Sequence, residues 1–255
     1  MRTFRNTLNR APRVKSLLKS VYWSLQGLPP VCETEISREV IHKYVGKEDP
    51  TILDIGCNDG THTLWFLEIF TNPKIYSFEP DPRAISRFKK KVGNASNVML
   101  FEMVLSDREG EIDFYQSGGQ LDENQAQIRA EGWDLSGSIR QPKEHLTMHP
   151  WITFENKISV PSSTLDTWAQ QQGIESIDWI WMDVQGAEID VLRGARKTLA
   201  KTRFLYTEYN NQELYEGQVN LKNLLKYLSD FKVVIRYPDD ILLSNKHWEG
   251  KPKLP

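Results

Sequence analysis

From Thr51 onward, short apolar runs alternate with helix-length amphipathic runs, and the first junction between them is the turn Leu53-Asp54-Ile55-Gly56-Cys57-Asn58-Asp59-Gly60. Such alternation demands parallel strands covered on both faces, because a parallel crossover needs a helix to carry the chain back over the sheet. Strands are expected at 51–55, 74–79, 98–102, 177–182 and 203–208, and helices at 61–70, 82–92, 164–171, 188–199 and 221–229. Residues 232–237 and 241–244, split by Pro238-Asp239-Asp240, read as a closing antiparallel hairpin. The expected fold is α/β, a doubly wound, mostly parallel seven-stranded sheet. Residues 111–115 alternate like a further strand. The polar stretch 116–150 carries Gly118, Gly119, Gly132 and Gly137 without a sustained period, which is the composition of a lid or acceptor-binding insertion.

Ahead of this domain, expected at 31–255, lies a basic arm at 1–30. Val14, Leu17, Leu18, Val21, Tyr22 and Leu25 recur at helical spacing, with Lys15 and Lys19 on the other face. Two readings stay open for residues 10–28: a helix lying on an anionic membrane surface, or one docked on its own domain. Lys19 interrupts the apolar stretch, which is too short for a bilayer span or a signal core. With Cys32 and Cys57 as the two cysteines, a disulfide framework is not expected, and a cytoplasmic location, peripheral at most to the inner membrane surface, fits. Six of the 32 Lys and Arg precede the first acid, Glu33, so the body opposes its remaining basic residues with 34 Asp and Glu. An acidic body is poorly suited to a phosphate backbone, and no nucleic-acid partner is expected.

Open α/β sheets bind ligands beyond the carboxyl ends of their strands. Four expected strand ends carry acids: Asp54, Glu79, Asp183 and Glu208. The turn after the first strand discriminates among nucleotide-like ligands. A dinucleotide fingerprint needs a glycine where this chain has Asn58, and Asp59 would then meet the pyrophosphate with negative charge. S-adenosylmethionine has no phosphate and carries an ammonium and a sulfonium, which suits Gly56 and Gly60 for close approach and carboxylates nearby. Glu79 is placed to accept hydrogen bonds from ribose hydroxyls. Asp107 has two readings, a contact to the adenine amino group or a local turn before Gly110.

The motifs Ile52 to Gly60, Phe78-Glu79-Pro80, Leu105-Ser106-Asp107-Arg108-Glu109-Gly110, Ser163-Thr164-Leu165-Asp166, Met182-Asp183-Val184-Gln185-Gly186-Ala187-Glu188 and Val191-Leu192-Arg193-Gly194-Ala195 resemble those of FkbM-type methyltransferases. That family lies within the class I S-adenosylmethionine-dependent enzymes. The resemblance implies a Rossmann-like fold, S-adenosylmethionine as methyl donor, and methylation of a hydroxyl on a sugar, polyketide or lipid-linked saccharide. The chain departs from the family at Gln185, where an acid is common, and at Asp59, where an apolar residue is usual.

An alcohol acceptor needs its proton removed or its oxygen bound to a metal. Asp183 is the first candidate base and Glu208 the second; with Glu188 they form a candidate Mg²⁺ site of oxygen ligands. His145 is a further candidate base, at i, i+4 spacing from His149 but without the intervening glutamate of a zinc-protease helix. Trp133 and Trp151 fit either sugar stacking or packing of the insertion, and His62 either touches the cofactor or faces solvent. Competing classes are an N-methyltransferase, a nicotinamide-dependent oxidoreductase disfavoured by Asn58 and Asp59, and a non-catalytic binding protein.

Overall fold

The computed structural model describes residues 27–120 and 132–248. The amphipathic run expected over 10–28 and its membrane contact therefore lie outside the described residues, save for its last two positions. In chain order the elements are α1 (Arg38–Val45), β1 (Thr51–Ile55), α2 (Thr61–Ile69), β2 (Lys74–Phe78), α3 (Pro82–Val92), β3 (Val98–Phe101), β4 (Val104–Ser106), β5 (Gly110–Gly119) and α4 (His145–Met148). There follow β6 (Ile152–Thr164), α5 (Leu165–Gln171), β7 (Ile177–Met182), α6 (Glu188–Arg193), α7 (Arg196–Ala200), β8 (Thr202–Glu208), α8 (Leu221–Tyr227), β9 (Phe231–Arg236) and β10 (Asp240–Asn245). No described helix is long and apolar enough to cross a membrane.

Seven strands form the main sheet in the order β3-β2-β1-β7-β8-β10-β9. All neighbours pair in parallel except β10, which runs antiparallel to both β8 and β9. Every residue of β7 is buried, as a strand with helices on both faces requires. Its alternate side chains feed two cores. Ile180 and Met182 join Trp168, Leu192 and Leu224 on one side, while Trp179 and Trp181 join Ile41 and Phe66 on the other. Burial of each such side chain contributes about 1.5–3 kcal/mol. Local signals set the helix starts: Asp81 caps α3 by accepting from the Arg83 N–H, with Pro82 at the first turn.

Between β1 and β7 the strand order reverses, since β2 and β3 lie to one side of β1 and β7, β8, β10 and β9 to the other. That crevice is where open α/β sheets take ligands.

A second sheet, β4-β6-β5, stands beside the first, and the sequence reading has no strand at 152–164. Exposed polar residues Glu155, Asn156 and Lys157 and the internal Pro161 hide its period. The ladder of β5 and β6 runs from Gly110↔Ser162 to Gly119↔Ile152, so β5 extends past the expected 111–115 into the insertion. Beyond residue 131 the chain returns beside β5, where Tyr115 and Ser138 exchange backbone hydrogen bonds of 2.7 and 3.1 Å. The helix expected at 188–199 is broken into α6 and α7 at Gly194, where a Cβ would lie 2.1 Å from the Ser106 carbonyl oxygen.

Candidate active site

The turn after β1 is shaped by its contact with β7. Gly56 has φ +82°, and a Cβ there would lie 1.9 Å from the Asp183 carbonyl oxygen, so glycine alone allows the two strand ends to meet. Asn58 follows in the left-handed region at φ 45°, which Asn tolerates better than most residues. Its N–H donates to Glu79 Oε2 at 2.9 Å, and its side-chain Nδ2 donates to the Asp134 carbonyl at 3.3 Å. Asp59 turns away from this crevice. It accepts from the Thr61 N–H and hydroxyl at the start of α2 and from Lys91 Nζ on α3, which gives this unusual acid a structural role in pinning the turn. Gly60 likewise serves packing: a Cβ there would lie 2.6 Å from Val92 on α3.

Over this turn opens a cleft enclosing about 650 Å³ of space, part of it open to solvent, whose wall includes Gly56, Asn58, Glu79, Met103, Asp134 and Asp183. Its roof is the returning insertion. Arg87 pairs with Asp134, Arg83 donates to the Ser117 carbonyl at 2.9 Å, and the Ser136 N–H donates to Ser117 Oγ at 3.1 Å. Helix α3 thus holds the second sheet and the roof against the cofactor-binding half of the sheet.

Glu79 is buried at 5% exposure. Burial pushes its carboxyl up to about 7, opposed by N–H donation from Asp81 at 2.8 Å and from Asn58. Each oxygen accepts one such bond and retains a lone pair for a further donor. Asp54, read from the sequence as cofactor-binding, is instead fully buried behind the cavity wall. Its Oδ2 accepts from Thr63 on α2 at 2.6 Å, and burial pushes it to about 7. The β-strand period explains the correction: Ile55 lines the cavity, so Asp54 faces the opposite layer.

Beyond the ends of β7 and β8 lies an acidic cluster. Gln185, in the left-handed region at φ 53°, donates from Nε2 to Asp183 Oδ1 at 2.7 Å and to Glu208 Oε2 at 3.1 Å. Its Oε1 stands 3.3 Å from the Tyr215 hydroxyl, whose one proton is directed at the Ser136 carbonyl at 2.8 Å. Glu208 is held well above the usual carboxylate range, by burial first and then by the charges of Asp183, Glu188 and Asp240. Burial, with Asp183 adding to it, also raises Glu188 and Asp240 to about 7. Asp240 reaches this cluster through the antiparallel register that sets it opposite Glu208.

Other sequence candidates fall elsewhere. Asp107 is outside the cavity wall and pairs with Arg108 at 3.0 Å. His145 is also outside that wall, at 3% exposure among His149, Phe154 and Tyr215. Burial lowers its pKa to about 4, and its ring lies against Tyr215, which reaches the site. Trp133 and Trp151 stack edge to face on each other, and His62 stacks on Trp181 at 4.1 Å. A divalent cation does not fit between Asp183 and Glu208. The groups facing both carboxylates are the N–H donors of Gln185, and among the described residues no three His, Cys, Asp or Glu side chains are grouped for a metal.

S-adenosylmethionine does fit. Glu79 offers lone pairs for a ribose diol, Asn58 Oδ1 is a buried acceptor with no partner, and Met103, Val104, Leu105, Phe114 and Ile139 line an apolar slot for a purine. The fold and site define an S-adenosylmethionine-dependent methyltransferase of the Rossmann-like class I type. The Methyltransferase FkbM domain matches residues 54–234, and the chain belongs to that family. It is 47% identical over 220 residues to the 2-O-methyltransferase NoeI of Sinorhizobium fredii, covering 85% of this chain and 87% of that protein. It is 23% identical to the hexuronic acid methyltransferase AglP of Haloferax volcanii, over 73% of this chain and 64% of that one. A methyltransferase FkbM crystal structure from Methylobacillus flagellatus overlays with a TM-score of 0.48 at 13% identity, covering 82% of this chain and 50% of that one.

Proposed function

We propose that the protein transfers the methyl group of S-adenosylmethionine to a hydroxyl of a glycan, with Asp183 as the general base. The observation that carries this reading is the position of Asp183. It stands at the end of β7, in the wall of the cofactor cavity, with Oδ1 fixed by Gln185 and Glu208 joined to the same amide. The relatives support the acceptor class: one is named a 2-O-methyltransferase and another a hexuronic acid methyltransferase.

When bound, S-adenosylmethionine supplies an electrophilic sulfonium methyl, whose C–S bond breaks toward sulfur as the acceptor's C–O bond forms. Glu79 and Asn58 would hold the cofactor and the apolar slot its purine. Asp183 takes the acceptor's hydroxyl proton onto its carboxylate. Glu208, whose proton affinity is raised by burial and by the neighbouring charges, accepts from the same Gln185 amide and resists the forming of a second negative charge beside Asp183. Positioning of two reactants in this way is worth about 7–11 kcal/mol of barrier.

Incubation of the protein with S-adenosylmethionine and a panel of saccharides, read by mass spectrometry, tests the reading; the expected product is one methyl heavier at a hydroxyl. Asp183→Asn is expected to lower kcat by about 10²–10⁴ while calorimetry shows cofactor affinity within a few-fold of the parent. Full turnover by Asp183→Asn would remove the base assignment. Methylation of amines and not of hydroxyls would overturn the acceptor class.

A further inference from the structure

We infer that Gln185 is a positioning residue whose amide occupies the place between Asp183 and Glu208 that a divalent cation would take, so that this chain orients its base without a metal. This rests on the reading of Asp183 as the base. Four observations converge on Gln185. Both hydrogens of Nε2 are engaged, one toward each carboxylate, at 2.7 and 3.1 Å. The amide orientation follows from the shorter of these bonds, because the reversed amide would set Oε1 against an oxygen of the Asp183 carboxylate at 2.7 Å.

Tyr215 is itself fixed. It is 1% exposed, it donates to the Ser136 carbonyl of the roof, and its ring lies so close to Gly186 that a Cβ there would be 2.7 Å away. Lastly, the backbone of Gln185 adopts φ 53° and that of Gly186 φ 88°. A non-glycine residue in this region costs about 1–2 kcal/mol, and such strain persists where the surrounding structure over-determines it.

An amide and a cation solve the same problem in different ways. Two acidic groups set side by side repel when both ionise; a cation neutralises both, whereas a neutral amide ties one oxygen of each and leaves a proton to be shared. The amide also leaves Asp183 Oδ2 free of Gln185, as a base requires. An acid at 185 would instead present a third carboxylate to the same point, an oxygen donor set of the kind that Mg²⁺ accepts.

Full-length wild type, Gln185→Glu and Gln185→Asn decide the matter, with Mn²⁺ as the paramagnetic probe. Gln185→Asn preserves a residue tolerant of positive φ but is one methylene short of both carboxylates. S-adenosylhomocysteine calorimetry and thermal unfolding first establish that each variant is folded. The expected result is that wild type leaves the free Mn²⁺ resonance unchanged and turns over equally in EDTA and in Mg²⁺. Gln185→Glu is expected to bind Mn²⁺ with loss of the free signal, and Asp183→Asn added to it to restore that signal. Gln185→Asn is expected to lower kcat about tenfold or more with an unchanged KM for S-adenosylmethionine and a displaced pH profile.

Binding of Mn²⁺ by wild type that Asp183→Asn abolishes overturns the inference. So does a folded Gln185→Glu that binds none, or a Gln185→Asn with wild-type kcat and pH profile. Absence of turnover on every saccharide would strike the glycan reading alone, since the Mn²⁺ titration reads Gln185 without an acceptor.

Discussion

At the scale of single residues, Asp54 illustrates how burial converts a motif residue into a pH-dependent structural element. Its carboxyl is pushed from the usual range to about 7, chiefly by desolvation. Because the folded state then holds a proton that the unfolded state releases above about pH 4, stability falls as pH rises from about 4 to about 7 and is flat beyond. Asp54→Asn, which removes the buried charge and keeps the shape, is expected to raise the thermal midpoint at about pH 8 and to change it far less at about pH 5. An equal effect at both values would contradict the account. Glu79→Gln acts on the ligand instead: loss of a charged acceptor is expected to weaken S-adenosylmethionine by about 10- to 100-fold in calorimetry. From the sequence Asp54 and Glu79 look alike, two acids at strand ends. Only the face on which each side chain emerges separates them, and that depends on the register of β1. Gln185 stands out in the sequence as a departure from a family pattern, yet its partners come from residues 183, 208 and 215, which no local pattern joins.

Among the elements, β1, β2, β7 and β8 are legible because buried parallel strands are rich in apolar residues and bounded by turn residues. The second sheet was not. Its long strand β6 owes its conformation to the ladder with β5 rather than to its own alternation, and the tertiary partner outweighs the local signal. The split of α6 from α7 is of the same kind, since Gly194 is called for by Ser106, far away in sequence. Gly56 marks the contact on which the site depends. Gly56→Ala must separate the β1 turn from the end of β7, and is expected to cost about 3 kcal/mol in chemical denaturation, with activity lost before the fold. A variant of unchanged stability would show that the two ends have room to part. The roof is tied to α3 at Arg83 and Arg87. Arg83→Ala is expected to speed cofactor dissociation in stopped-flow measurements more than it slows association, because the lost bonds hold the roof over the cavity.

For the whole molecule, carboxyl groups with raised proton affinity gather in and beside one crevice: Glu79 in its wall and Glu188 and Asp240 near the ends of β7 and β8 at about 7, with Glu208 held well above the usual carboxylate range. A cation placed among them favours their ionised forms. Binding of S-adenosylmethionine near pH 7 is therefore expected to release protons, measurable as a binding enthalpy that differs between phosphate and Tris buffers. S-adenosylhomocysteine, which lacks the sulfonium charge, is expected to release fewer. A buffer-independent enthalpy for both ligands would refute the coupling.

Strand β10 fills the gap between β8 and β9 and sets Asp240 opposite Glu208. Until residues 240–245 have left the ribosome, β8 is a bare apolar edge of the kind that pairs with other chains, and the acidic cluster lacks one of its members. The pairing of β10 with β8 thus covers that edge and brings Asp240 to the acidic cluster in a single event.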